Sequence, residues 1–384
     1  MTFDARRLAV ALAGFVAFLN LYSPQALLPA LAREFSVGAA EISLIMTAGT
    51  LAIALTAPFT GAVADVLGRK RVIAAAMIAV AVPTAMIAFA ADVQGIVLWR
   101  FIQGLLLPPV FAVAVAYIGD EWPAAEVAGV AGLYMSGASL GGFFGRFIPG
   151  VLTDLIGWRG AFLVLAALTL LCALAFTFLL ERERHFVRSE GLSASIRQML
   201  RHLRNPRLLA IYAVGFGVLF NFIVVFTYVS FQLAGPPYNF SPSLLGAIFF
   251  TYLVGTATTP LIGRAVGRFG RRSFVLALIA AWMVGALLLL AAPVPAIVVG
   301  LVICAVCGML CQGVATAAVA SSAREGRSSA VGLYVTSFYV GGSVGAFLPG
   351  LTWNAYGWPA AVAMVLAMLA LMAATVTLGW RERA

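Results

Sequence analysis

The chain has 384 residues, of which 63% are hydrophobic and only 10% charged, with a formal net charge of +10. A soluble domain carries about 25% charged residues, and a chain this poor in charge cannot cover a water-facing surface. That excludes a soluble enzyme, a disordered chain and a secreted disulfide scaffold.

Apolar segments long enough to cross a bilayer, about 20 residues each, are predicted in chain order over residues 8–31, 41–62, 72–91, 95–118, 128–152, 160–180, 208–231, 244–266, 273–292, 295–320, 331–353 and 359–380. The first resembles a signal peptide in having Arg6 and Arg7 ahead of it and Ala30-Leu31-Ala32 near its end. Its apolar stretch of about 24 residues is longer than the usual 7–15, so it is read as span 1. The longest polar stretch, Glu181 to Arg207, holds both histidines, His185 and His202. It divides the chain into a six-span bundle over 1–180, a cytoplasmic linker over 181–207 and a second six-span bundle over 208–384. Within the linker, Leu192–Leu203 is predicted as a short amphipathic helix on the inner membrane surface.

Charge placement orients the spans. Twenty of the 24 basic residues fall on segments that share a side with the N-terminus, and Arg33 and Arg159 fall opposite. Arg100 and Arg146 lie within spans. The positive-inside rule places both termini in the cytoplasm, and the basic excess reports topology rather than nucleic-acid binding.

The two halves are copies. Residues 132–158 match 332–358 at a constant offset of 200, with eleven identities in register. Gly132-Leu133-Tyr134 matches Gly332-Leu333-Tyr334, and Gly141, Gly142, Gly145, Pro149, Gly150, Gly157 and Trp158 recur 200 residues later. Fainter echoes pair Gly14, Phe15 and Asn20 with Gly215, Phe216 and Asn221. Six spans per copy is an even number, so the repeats are parallel, about an axis along the membrane normal. Transporters of this design bind substrate near the midplane between the halves.

The loop after span 2 reads Gly61-x-x-x-Asp65-x-x-Gly68-Arg69-Lys70-Arg71. Gly61 permits close helix packing, Gly68 a tight turn with positive φ, and Asp65 can face a helix N-terminus and an arginine. This loop resembles the signature of the major facilitator superfamily. The resemblance implies an all-α membrane fold of twelve helices in two pseudo-symmetric bundles. It also implies an inner gate latched by Asp65, Arg69 and an acid at the end of span 4, matched here by Asp120 with Glu121 as a rival. Span 4 carries Arg100-x-x-Gln103-Gly104, similar to a family motif associated with proton coupling. Read by itself, Arg100 either faces a cavity or partner or snorkels to the interface. Span 5 carries Gly137-x-x-x-Gly141-Gly142-x-x-Gly145-Arg146, similar to the helix-packing motif of the drug/proton antiporter group, which includes arabinose-efflux-like members. Gly142 stands in place of its proline and Arg146 in place of its last glycine. Gly341 and Gly345 repeat the frame in span 11, with Ala346 opposite Arg146.

A buried arginine needs a partner, and for Arg146 that is either an anionic substrate group or a protein carboxylate or carbonyl. None of the 14 acids lies deep in a span, and Glu41 and Asp154, near outer ends, come nearest. Neutral or anionic substrates therefore fit better than strong cations. Asn20, Gln25, Asn221, Tyr228 and Gln312 are polar residues of spans that line the cavity in relatives, and each is a candidate to bind substrate or a neighbouring helix. Cys304, Cys307 and Cys311 share a helix face and are read as packing residues, although soft-metal binding is conceivable. No metal site, no cofactor and no enzyme motif is expected.

The expectation is a proton-coupled exporter of a small organic compound in a bacterial inner membrane, monomeric and without nucleic-acid partners. The alternatives are uptake of a small organic acid or sugar and, distantly, an intramembrane lipid-processing enzyme, for which the required cluster of acids or histidines is missing from the sequence.

Overall fold

The computed structural model describes residues 4–183, 192–323 and 327–380, with the side chains at 62, 65, 124, 192–196, 320, 327 and 328 outside that description. His185, the basic residues expected inside at 184, 188, 324, 381 and 383, and the side chain of Arg327 therefore lie outside it. All regular structure among the described residues is helical. In the first half the helices are α1 (Ala5–Tyr22), α2 (Leu28–Glu34), α3 (Ala39–Leu67), α4 (Arg69–Ile87), α5 (Val93–Glu121) and α6 (Ala124–Leu179). The linker forms α7 (Leu192–His202). The second half has α8 (Pro206–Ala234), α9 (Pro242–Ala247), α10 (Thr251–Thr258), α11 (Ile262–Phe269), α12 (Arg271–Leu288), α13 (Val294–Ser322) and α14 (Arg327–Gly379).

An unbroken α6 of 56 residues would be about 84 Å long, far more than the roughly 30 Å of a hydrocarbon core. It is two spans joined at Gly157, where φ is 78°, and α14 is likewise two spans joined at Gly357, φ 58°. Counting α9 to α11 as one interrupted span gives the twelve expected. A Cβ added at Gly157 meets nothing within 4 Å, so only the backbone resists substitution. Gly157→Ala should cost about 1–2 kcal/mol, read as a lower thermal midpoint in detergent. An unchanged midpoint would show that the positive φ is dispensable.

Two spans depart from their expected form. Span 1 ends at Tyr22, because Pro24 lacks an N–H and crowds the preceding turn; the chain then turns and restarts as α2. Span 8 is interrupted by 3-10 turns at Ile248–Phe250 and Thr259–Leu261, the kind of break that marks hinges. Asp4 caps α1, accepting from the Arg6 backbone N–H at 3.0 Å. Burial pushes its carboxyl pKa up, but the Arg6 hydrogen bonds and charge outweigh burial and hold it below the usual value.

Many large apolar side chains point outward, among them Phe178 (83% exposed) and Leu155 (73%), as hydrocarbon solvent allows and water does not. Inward packing follows the glycine stripe. At Gly137, Gly141 and Gly145 an added Cβ would overlap the backbone of Ala11, Phe15 and Leu19 on α1. The stripe and its target both advance by four residues, the ridge spacing of one helix face. Gly341 and Gly345 of α14 approach Phe216 and Phe220 of α8 in the same way. Gly142 is a correction to the expected packing set. It stands one residue off the stripe, and a Cβ there meets only Arg146 Nη1, at 3.6 Å.

The chain forms two compact units that do not follow a single cut at the linker. One comprises residues 1–35, 48–192 and 240–249; the other comprises 36–47, 193–239 and 250–384. In the first, α9 packs on α6. Gly150 has no side chain to hold off the Pro242 carbonyl, and the Asp154 carboxylate accepts from the Ser243 backbone N–H at 2.9 Å and from its hydroxyl. In the second, Gly350 lets the start of α3 approach at Ala39 and Ala40.

Candidate functional site

The last carbonyls of any helix lack intrahelical partners. At the end of α1 two of them are satisfied from α5. Arg100 donates to the carbonyls of Asn20 (2.9 Å) and Leu21 (2.6 Å), and also to Gln103 Oε1. The guanidinium is fully buried, and its charge lies at the negative end of the α1 dipole. Gln103 Nε2 donates onward to Asn20 Oδ1 (3.1 Å) and Thr84 Oγ1 (2.7 Å). Thr84 Oγ1 is 2.7 Å from Asn20 Oδ1, and Asn20 Nδ2 donates to Val16 O and Thr169 Oγ1, both at 2.9 Å.

An asparagine amide offers two donors and two lone pairs. All four are taken by protein at Asn20, which thereby ties spans 1, 3, 4 and 6 together. Asn221, its repeat partner, is equally buried but differently placed. Its Nδ2 reaches only the Met372 sulfur at 3.4 Å, and its Oδ1 has no hydrogen-bond partner among the described residues. The same residue in the same repeat position is saturated in one half and has spare capacity in the other.

Arg146 is fully buried on α6. Its Nε donates to Gln25 Oε1 at 2.6 Å and its Nη1 to the Gly142 carbonyl at 2.5 Å. The guanidinium carbon lies 3.8 Å from the Tyr22 ring centroid and 4.5 Å from that of Phe249. Both rings lie within cation–π distance, an attraction that strengthens when water is excluded. The structure thus brings together Gln25 and Arg146, two of the expected substrate residues. Phe249 was invisible in the sequence, since nothing about an apolar position in span 8 links it to span 5.

Tyr228 and Gln312 belong to the other unit. The Tyr228 hydroxyl donates to the Ala346 carbonyl at 2.5 Å, at the position equivalent to Arg146. Gln312 is half-buried on α13. Near Asn221 in sequence, Phe222 contacts both Tyr252 and Trp282, with centroids 5.6 and 5.7 Å away.

At the span 2–3 loop, Gly68 has φ 90° and starts α4. Arg69 pairs with Asp120, the acid matched to the latch. Glu183, from the linker, was not anticipated. Its Oε2 accepts from the Lys70 backbone N–H at 3.4 Å, at the positive end of α4. The Asp65 side chain lies outside the described residues. Among the described residues an added Cβ at Gly61 meets nothing within 4 Å. Among the described residues no group of His, Cys, Asp or Glu is arranged to hold a metal ion.

The Major Facilitator Superfamily profile matches the chain over residues 10–237 and again over 222–384. The inner membrane transport protein YnfM of Escherichia coli (strain K12) is 32% identical over 366 residues, spanning 94% of this chain and 87% of that protein. The uncharacterized MFS-type transporter YybF of Bacillus subtilis (strain 168) is 29% identical over 93% of this chain and 89% of its own. Among solved structures, the nucleoside transporter NupG superposes with a TM-score of 0.78 at 15% identity, covering 98% of this chain and all of that one. A bacterial homologue of the lysosomal transporter Spinster gives 0.70 at 16% identity, over 99% and 96%. At these identities the two structures speak for the fold alone.

Proposed function

The chain belongs to the major facilitator superfamily of multi-pass membrane transporters and is not an enzyme, and from that premise we propose that it exports a small neutral or anionic organic compound by proton-coupled alternating access. The observation that carries the substrate class is the Arg146 cage. A buried guanidinium lies within cation–π distance of two aromatic rings, with amide and carbonyl oxygens as its hydrogen-bond acceptors. It raises the local potential in a low-dielectric interior and disfavours a cationic substrate nearby. Asn221, whose amide oxygen has no hydrogen-bond partner among the described residues, is the proposed polar contact in the second half. Asn20 is assigned to holding spans together.

The location is proposed as a bacterial inner membrane with both termini cytoplasmic. The lopsided distribution of basic residues supports this, as does the likeness to an inner membrane transport protein. The Arg69–Asp120 pair, with Glu183 on the start of α4, is the proposed inner latch. Arg100 is the proposed coupling residue, acting through the hold it has on the end of α1. The working unit is proposed to be a monomer.

The test is a thermal-shift screen of the purified protein against anionic, neutral and cationic compounds. Saturating ligand at about a hundredfold over Kd stabilises by about 2.7 kcal/mol. Stabilisation only by lipophilic cations would overturn the substrate class. Asn221→Leu supplies a sharper check, because it removes a buried unsatisfied acceptor. The unliganded protein should be as stable or more so, while affinity for the identified ligand falls about tenfold, the worth of one hydrogen bond. Direction is read in everted vesicles with an acid interior: accumulation of the compound supports export, and loss of preloaded compound supports uptake.

A further inference from the structure

The two halves differ at the start of their third spans, where Gly68-Arg69 of the first half is matched by Gly270-Arg271 of the second. In the first half, Gly68 opens α4, the Glu183 carboxylate sits on that helix start, and Arg69 pairs with Asp120. In the second, Gly270 opens α12 with φ 75°, and no counterpart of the Glu183 contact is found among the described residues. Arg271 stands where Arg69 stood. Ser321 stands where Asp120 stood and accepts from Arg271 Nη2 at 3.4 Å. The acid of the first repeat has become a neutral hydroxyl.

A cavity of about 530 Å³ opens at this place within the second unit. Its walls carry Arg207, Arg271 and Arg272, the hydroxyl residues Ser321 and Ser322, and the start of α12. No carboxylate lines it among the described residues. Arg272 is anchored by donating to the Thr377 carbonyl at 3.0 Å. Trp380 forms part of the wall and is only 7% exposed, yet its indole Nε1 has no hydrogen-bond partner among the described residues. An indole N–H can only donate, and leaving one buried and unpaired costs free energy. The polar side chains described on this wall are three arginines and an indole, which only donate, and two serine hydroxyls, which donate and accept.

We propose that this cavity binds a phosphate-bearing anion: the arginines supply charge and bidentate donors, the α12 start supplies backbone N–H groups, and Trp380 supplies a neutral donor. Arginine forks and helix starts are the usual recognition elements for tetrahedral oxyanions. The phosphate reaches the site either as the headgroup of an anionic phospholipid or as a soluble phosphate compound. The site is separate from the Arg146 cage and does not depend on the transported substrate.

The test uses the full chain purified in a neutral detergent. Retained lipid is counted by native mass spectrometry, and thermal shift is read with phosphatidylglycerol, phosphatidylcholine or inorganic phosphate. One saturable phosphatidylglycerol per chain, with no comparable retention of phosphatidylcholine, supports the headgroup source. An equal shift with inorganic phosphate alone supports the soluble source. In either arm the Arg271→Gln, Arg272→Gln double variant should bind at least about tenfold more weakly. Trp380→Phe, which keeps most of the ring packing, should bind about threefold more weakly, and high salt should weaken the native protein's binding. Arg207→Gln gives an independent reading if the double variant does not fold. No binding in either arm overturns the proposal. So does phosphatidylcholine retained as firmly as phosphatidylglycerol, or native-like binding by folded arginine variants.

Discussion

Arg100→Met is expected to lower stability by roughly 2–5 kcal/mol, at about 1–3 kcal/mol for each buried acceptor left unsatisfied, and to abolish transport in proteoliposomes. The guanidinium donates to two carbonyls at the end of α1 and to Gln103. Methionine fills part of the volume and strips the guanidinium from the Leu21 carbonyl and Gln103 Oε1, while the Asn20 carbonyl keeps only the Ser23 hydroxyl at 3.0 Å and the Ser23 backbone N–H at 3.4 Å. The damage spreads because Gln103 orients the Asn20 and Thr84 pair, and Asn20 also holds Thr169. Arg100→Lys should rescue little, since a single ammonium cannot reproduce a planar fork spanning two carbonyls and an amide. Thermal unfolding separates this from a purely catalytic loss: a folded, fully stable Arg100→Met protein that merely fails to transport would show that the residue acts in coupling alone. The reverse result, native stability with native transport, would leave the network without a role.

Gly141→Leu should prevent accumulation of folded protein, and Gly141→Ala should cost about 1–3 kcal/mol. The Cβ of either replacement falls on the Phe15 backbone rather than on a side chain that can rotate away. The only relief is to push α1 from α6, which strips contact along the whole stripe. Gly341→Leu meets the same obstacle at Phe216. Two controls make the claim specific. Gly142→Ala has only an ordinary contact with Arg146, and Gly132→Ala has open space within 4 Å. Both should be neutral or gain up to about 1 kcal/mol from helix propensity. Monodispersity in detergent and the thermal midpoint report all five variants. If Gly141→Ala and Gly132→Ala behaved alike, close helix approach would not be what the glycine stripe is for.

Some sites were legible before any coordinates because their cause is local. Gly68 needed a positive φ to start a helix right after another ended, and it has one. The stripe at Gly137, Gly141 and Gly145 was readable from spacing alone, whereas Gly142 looked like a member only because it is also a glycine. The pairing of Arg69 with Asp120 was not readable from spacing, since Asp120 and Glu121 both sit at the end of α5 and only their rotation about the helix separates them.

The sequence by itself determined the solvent, the number of crossings and the duplication, because these follow from apolar length, scarcity of charge and repetition along the chain. It also predicted that polar groups inside the spans would matter. Only the tertiary structure decided what each one does. Asn20 and Asn221 are equivalent by repeat, yet Thr84, Gln103 and Thr169 surround the first while the second is left with a methionine sulfur. Phe249 covers Arg146, and Trp380 closes a basic cavity that has no acid in its described wall. A hydrogen bond or a ring contact is a property of two groups a few ångströms apart. Hydropathy and spacing describe each span alone, so partners from distant spans meet only when the bundle is packed.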